Sequence, residues 1–136
     1  MWIVWRAYRS FPQLSIPGGV ILRPPPVPMR EGEVAGTPVS SGIARGRIKI
    51  LHSPDEKPLA KGEILVARAT DPGWTPLFVN ASGVILEVGG LLQHGALVAR
   101  EYGLPCVAGV DHATELWNDG DLVEVDGSAG IVRKLP

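Results

Sequence analysis

The chain has 136 residues, 45% of them hydrophobic and 20% charged, which suits one globular domain with a real core. Its formal net charge of −1, with acidic and basic residues interspersed, gives no electrostatic footprint for nucleic acid, and a single cysteine excludes an internal disulfide. No apolar run approaches the roughly 20 residues that span a bilayer, and Met1-Trp2-Ile3-Val4-Trp5 is too short, with Arg6 and Arg9 on the wrong side, for a secretory signal; a cytoplasmic protein without membrane attachment is expected.

The first thirty residues differ from the rest. Trp2, Trp5, Tyr8 and Phe11 recur every third position and could form one apolar helical face, but Pro12 and Pro17 stop it. Arg23-Pro24-Pro25-Pro26-Val27-Pro28 then reads as an extended polyproline spacer. Residues 1–32 are therefore expected to be an extension or linker, with a proline-rich ligand for another domain as the rival reading, and residues 33–136 to be the folded unit. Within that unit, short apolar runs predict strands at 47–51, 63–67, 84–88, 105–108, 122–125 and 131–133. The first and fifth alternate apolar with polar as in a half-solvated sheet, whereas residues 84–86 look covered on both faces. Helices are expected at 74–81 with Pro76 in the first turn, at 95–102, and at 112–117 behind Asp111 as cap. Asp126-Gly127-Ser128-Ala129-Gly130 reads as the hairpin loop joining the last two strands. The class is mixed α/β, and no internal repeat is present.

The run Gly89-Gly90-Leu91-Leu92-Gln93-His94-Gly95-Ala96-Leu97-Val98-Ala99-Arg100-Glu101-Tyr102-Gly103-Leu104-Pro105-Cys106-Val107 carries the chemistry. A strand ends at a glycine pair that permits a tight turn, and a helix follows that Gly103 and Pro105 stop. His94 falls at the mouth of this helix, where unpaired backbone N–H groups and the positive end of the dipole favour an anion. A neutral imidazole there is a competent nucleophile and its phosphoryl adduct is anionic; equally, a histidine in this place can simply cap or pack the helix start. On the helix, Leu97, Val98 and Tyr102 are expected to face the core and Arg100 to point elsewhere. His52 and His112 read as surface residues, and Cys106, in an apolar Pro-Cys-Val-Ala run, as core. Three scattered histidines and one cysteine lack any zinc-ligand spacing, and no Gly-Lys-Ser/Thr follows a strand, so neither a metal site nor a Walker loop is expected.

The order Gly-Gly, three residues, His, two small residues, then Val-Ala-Arg-Glu-Tyr-Gly-Leu-Pro-Cys-Val resembles the phosphohistidine, or swivelling, mobile domain of phosphoenolpyruvate-utilising enzymes. That family includes phosphoenolpyruvate synthase, pyruvate phosphate dikinase, enzyme I of the sugar phosphotransferase system and rifampicin phosphotransferase. Upstream, Gly36-Thr37-Pro38-Val39-Ser40-Ser41-Gly42-Ile43-Ala44-Arg45-Gly46 is similar to the family's opening Ser-x-Gly-x-Ala-x-Gly turn, and Thr70-Asp71-Pro72-Gly73-Trp74-Thr75-Pro76 to its synthase-type loop. Downstream, the segment from Asn118 to Gly127 followed by Gly130-Ile131-Val132 resembles its closing hairpin, so the likeness covers roughly residues 33–135. It implies a swivelling β/β/α fold in which His94 accepts a phosphoryl group, with Gly90, Gln93, Gly95, Ala96 and Thr70 in support. Members often carry Ser or Thr just before the histidine; Gln93 stands there instead and sets the chain apart from the sugar phosphotransferase branch. The resemblance further implies a phosphotransferase component that does not turn over alone. It binds no cofactor of its own, and ATP and Mg belong to a partner ATP-grasp domain, with an acceptor or phosphoenolpyruvate/pyruvate domain as second partner. Two rivals remain: a non-catalytic interaction or regulatory module that kept the fold, and an aconitase-type swivelling domain, whose substrate loop does not account for the whole Gly-Gly-to-Pro motif.

Overall fold

The computed structural model describes residues 32–90 and 93–136, so the expected linker, apart from Gly32, lies outside the described residues, as do Leu91 and Leu92. Eight strands form it: β1 (Glu33–Ala35), β2 (Thr37–Ser40), β3 (Ile43–Ile50), β4 (Ile64–Ala67), β5 (Gly83–Leu86), β6 (Cys106–Ala108), β7 (Leu122–Asp126) and β8 (Ile131–Lys134). The helices are α1 (Thr75–Phe78), α2 (His94–Tyr102) and α3 (Ala113–Leu116), with a 3-10 turn over Pro72–Trp74 leading into α1. All six expected strands occur, shifted by a few residues at their ends.

Strand order is β1-β8-β7-β3-β4-β5-β6-β2. Around β7 and β8 the pairing is antiparallel, whereas β3, β4, β5 and β6 run parallel to one another. The two edge strands β1 and β2 are neighbours in the chain, so the segment 33–40 passes from one end of the sheet order to the other, pairing first with β8 and then with β6. Gly36 makes this passage: its N–H donates to the Gly130 carbonyl at 2.8 Å, and an added Cβ would sit 2.5 Å from the Ala108 carbonyl oxygen. The turn that the resemblance implies over residues 36–46 is instead strand β2 and the start of β3. A glycine and a proline discourage any local strand pattern, and the pairing that makes β2 a strand is non-local, with a register shift between Pro38 and Ser40.

Side chains of the parallel strands alternate between two cores, as a pleat of period two requires. Ile64, Val66, Ile85 and Val107 enter a cluster enclosed between the two parts of the sheet, with Val123, Val125 and Val132 opposite. Leu65, Ala67, Val84, Leu86, Cys106 and Ala108 point the other way, onto Trp74, Phe78, Ala96, Val98 and Ala99 of the helical layer. The result is three layers, sheet on sheet on helix, and the continuous apolar runs of β4 and β5 reflect burial on both faces.

Four local expectations differ from what is observed. The helix expected at 74–81 is a 3-10 turn plus four α-helical residues: the Asp71 carboxylate accepts from Gly73 N–H at 2.8 Å and opens the turn early. Helix α3 is not capped by Asp111. His112 occupies the cap at φ 58, and the Glu87 carboxylate takes the Thr114 N–H from across the fold at 3.1 Å. On α2, Leu97 and Tyr102 are exposed, and the buried face is Gly95, Ala96, Val98 and Ala99, small residues that let the helix lie close on the sheet. Strand β7 does not alternate either, because Glu124 is buried through ion pairs with Arg45 at 2.7 Å and Arg133 at 2.9 Å.

Candidate functional site

The carboxyl ends of β4, β5 and β6 lie side by side, the position where open parallel sheets present ligand sites. Pairing continues past the strands, with Glu87 N–H on the Ala67 carbonyl and Val88 N–H on that of Arg68, so the loops after β4 and β5 leave the sheet together. The loop after β4 delivers Thr70 and that after β5 delivers His94.

Glycines make the descent from β5 to α2. Gly90 adopts φ 119, the positive value expected of it, while Gly89 supplies close approach: an added Cβ would lie 3.5 Å from the Gly109 Cα. Gln93, extended at φ −63 and ψ 148, is the N-cap and contributes no capping side-chain bond; its side chain is exposed at the rim. The first intrahelical bond runs from Leu97 N–H to the Gln93 carbonyl at 3.0 Å, so the amides of residues 94–96 point out of the helix end. Gly103, left-handed at φ 70, and Leu104 N–H on the Ala99 carbonyl at 2.8 Å close α2 at the other end.

His94 is half-buried as the first residue of α2, and its ring is held on three sides. Thr70 Oγ1 lies 2.9 Å from Nδ1. Thr75 Oγ1 lies 3.3 Å from Nε2. The Phe78 ring meets the imidazole edge-on, with centroids 6.2 Å apart and planes at 89°. Thr70 thus stands against His94, as the resemblance implied. Gly95 is required there by packing: an added Cβ would come 2.8 Å from both Leu86 Cδ1 and Thr70 Oγ1. Ala96 is fully buried and its side chain belongs to the core beneath the site.

Thr75 falls within the synthase-type loop but the resemblance assigns it no role there, and Phe78 lies just beyond it. They stand three apart on α1, a spacing that has meaning once α1 is known to pack on α2. Elsewhere, the side chains of His52 and His112 are on the surface, 67% and 76% exposed. Cys106 is buried, and desolvation pushes its thiol up to about 12 despite the opposing charge of Arg100, so it is no nucleophile at neutral pH. Among the described residues no group of three or more His, Cys, Asp or Glu is placed to hold a metal ion, and no helix is long and apolar enough to cross a membrane.

A family model for the PEP-utilising enzyme mobile domain matches residues 59–130. Rifampicin phosphotransferase from Bacillus cereus is 50% identical over 102 residues, covering 75% of this chain and 12% of that protein. Phosphoenolpyruvate synthase from Aeropyrum pernix is 45% identical over 108 residues, covering 78% and 13%. The chain therefore spans about an eighth of the length of these curated relatives. Among solved structures, Thermococcus kodakaraensis aconitase X in its holo-form superposes with a TM-score of 0.58 at 18% identity over 76% of this chain and 98% of that one, a likeness of fold alone.

Proposed function

Because the chain belongs to the mobile-domain family of PEP-utilising enzymes, we propose that it is a phosphoryl carrier in which His94 accepts a phosphoryl group at one active site and delivers it at another. The observation that carries this reading is the 2.9 Å contact between Thr70 Oγ1 and His94 Nδ1 at the mouth of α2. With its proton on Nδ1 and donated to Thr70, the neutral ring keeps the Nε2 lone pair as the nucleophile, under the longer Thr75 contact. That pair forms the N–P bond while the P–O bond to the donor's leaving oxygen breaks, and the bonding electrons depart with that oxygen. The ring gains a positive charge, which the hydrogen bond to Thr70 stabilises. On delivery the N–P electrons return to Nε2.

Among the described residues, the ring meets two hydroxyls and the Phe78 ring, all neutral. The amides of the α2 end favour the anion, and the docked domains supply the remaining countercharge. We assign the donor to an ATP-grasp domain holding ATP and Mg, or to a domain that binds phosphoenolpyruvate. The acceptor is set by a further domain, with rifampicin and pyruvate-type chemistry represented among the named relatives. This chain itself binds no cofactor in this scheme and bears the intermediate without turning over alone. Gly90, Gln93, Gly95 and Ala96 shape the helix mouth rather than react.

With an ATP-grasp donor domain and radiolabelled ATP, or a phosphoenolpyruvate-binding donor and labelled phosphoenolpyruvate, the wild-type chain should gain one acid-labile, base-stable phosphoryl group. His94→Gln should gain none while keeping its circular dichroism spectrum. His52→Ala and His112→Ala should label as wild type. A wild-type chain left unlabelled by donors of both kinds would move the assignment to a non-catalytic interaction or regulatory module, and label persisting in His94→Gln would move the site.

A further inference from the structure

We infer that Thr75 is a positioning residue for His94, its hydroxyl selecting the ring form in which Nε2 is unprotonated; the inference deepens the carrier reading and rests on it. Thr70 and Phe78 hold the ring at Nδ1 and at its edge, and neither lies on the nitrogen that has to react. Thr75 does, with Oγ1 3.3 Å from Nε2. A neutral imidazole has one protonated nitrogen and one bare one, and hydroxyls at both nitrogens decide between the two forms by which of them donates. With Nδ1–H donating to Thr70, Thr75 donates to Nε2.

The loop before Thr75 is built to hold that hydroxyl still. The Asp71 carboxylate caps the 3-10 turn, Trp74 is buried at 5% exposure, and the Thr75 backbone N–H donates to the Pro72 carbonyl. Pro76 follows directly in the first turn of α1. Thr75 is also β-branched and stiff about χ1, so a fixed backbone fixes Oγ1. Three residues on, Phe78 is 1% exposed and places its ring against the same imidazole, so one face of α1 grips His94 at two points.

The two hydroxyl contacts differ in a way that suits the task. At 2.9 Å the Thr70 contact is a full hydrogen bond, whereas 3.3 Å at Nε2 is longer than a hydroxyl donor usually stands and marks a weak bond. The weaker bond is on the nitrogen that must be released to an incoming phosphorus. Once the N–P bond forms, a phosphoryl oxygen replaces the ring nitrogen as acceptor for the Thr75 hydroxyl, which therefore keeps a partner in both states.

The test reads the ring directly in the unphosphorylated 136-residue chain by long-range 1H–15N correlation of His94, at about pH 8.5, well above the ordinary imidazole pKa of ~6.5. Wild type should show Nδ1 protonated and Nε2 bare; Thr75→Val should shift both nitrogens toward the averaged values of mixed tautomers, and Thr75→Ser should restore the wild-type pattern. With a donor domain present, Thr75→Val should take label about fivefold more slowly, the loss of one hydrogen bond of ~1 kcal/mol, again rescued by serine. If Thr75→Val does not fold, Thr75→Ala carries the same comparison. A ring spectrum identical in wild type and Thr75→Val overturns the inference. A wild-type chain that shows the tautomer but never takes label overturns the carrier reading instead, so the two failures are distinguishable.

Discussion

Two polar groupings in this molecule are built on opposite plans. Across the antiparallel part of the sheet, Glu33 on β1, Arg133 on β8, Glu124 on β7 and Arg45 on β3 stand in register, joined at 2.7, 2.9 and 2.7 Å. Two carboxylates meet two guanidiniums; Glu33 above all, with Glu124 behind it, holds the Arg133 guanidinium more firmly protonated than usual. Among the described residues, the His94 ring at the ends of the parallel strands meets two neutral hydroxyls and the Phe78 ring, one nitrogen under the longer contact. A row of paired opposite charges is a device for stability. On the proposed carrier reading, a histidine held by neutral groups at a helix mouth is a place for an anion brought from outside.

Gly95→Val breaks this contrast most severely, because the new side chain has to displace Leu86 or Thr70, both 2.8 Å from the Cβ position. It should cost about 1–3 kcal/mol in urea unfolding and also abolish label uptake in whatever folds, by driving Thr70 off Nδ1. Glu124→Ala probes the other grouping. It should cost about 1–2 kcal/mol, a charged hydrogen-bond pair discounted for the exposed guanidiniums, with label uptake at His94 unchanged. A labelling defect in Glu124→Ala would show that the two groupings are coupled. The smallest expected effect is at Glu87, whose carboxylate lies below the ordinary glutamate value of 4.5, chiefly through the Thr114 backbone N–H and then its hydroxyl, with desolvation opposing. A depressed folded pKa means that this contribution is whole above pH 4.5 and fades as pH falls through the folded value. Glu87→Gln should therefore flatten the acid limb of a stability-against-pH curve by slightly lowering stability at neutral pH while leaving it nearly unchanged at pH values where the carboxyl is already protonated.

Much of this contrast could be read from residue order alone, but unevenly. The runs at β4 to β6 declared themselves because strands buried on both faces are apolar throughout, β7 and β8 because short runs with apolar residues flank a glycine-bearing loop, and α2 because a glycine pair precedes it and Gly103 ends it. Strands β1 and β2 did not, since Gly36 and Pro38 weaken the local pattern and their partners lie some seventy to one hundred residues away in sequence. Leu97 and Tyr102 misled because large apolar side chains were taken for the packing face, whereas close approach to the sheet selected Gly95, Ala96 and Ala99. At the site, His94 and Thr70 came from motif order. Thr75 stood in the same loop motif without a role, because that role depends on how a four-residue helix faces a nine-residue one.

The pairing of β1 with β8 has a mechanical consequence. Glu33 and Arg133 are Cα partners, so the first and last strands of the described fold lie next to each other at antiparallel spacing, about 5 Å. A body whose entry and exit share one point transmits almost no torsion between them, and it can be turned through a wide arc without shearing its own hydrogen bonds. The same adjacency lets such a unit be set into a loop of another protein with little strain on the host, since the gap it must bridge is no wider than a hairpin.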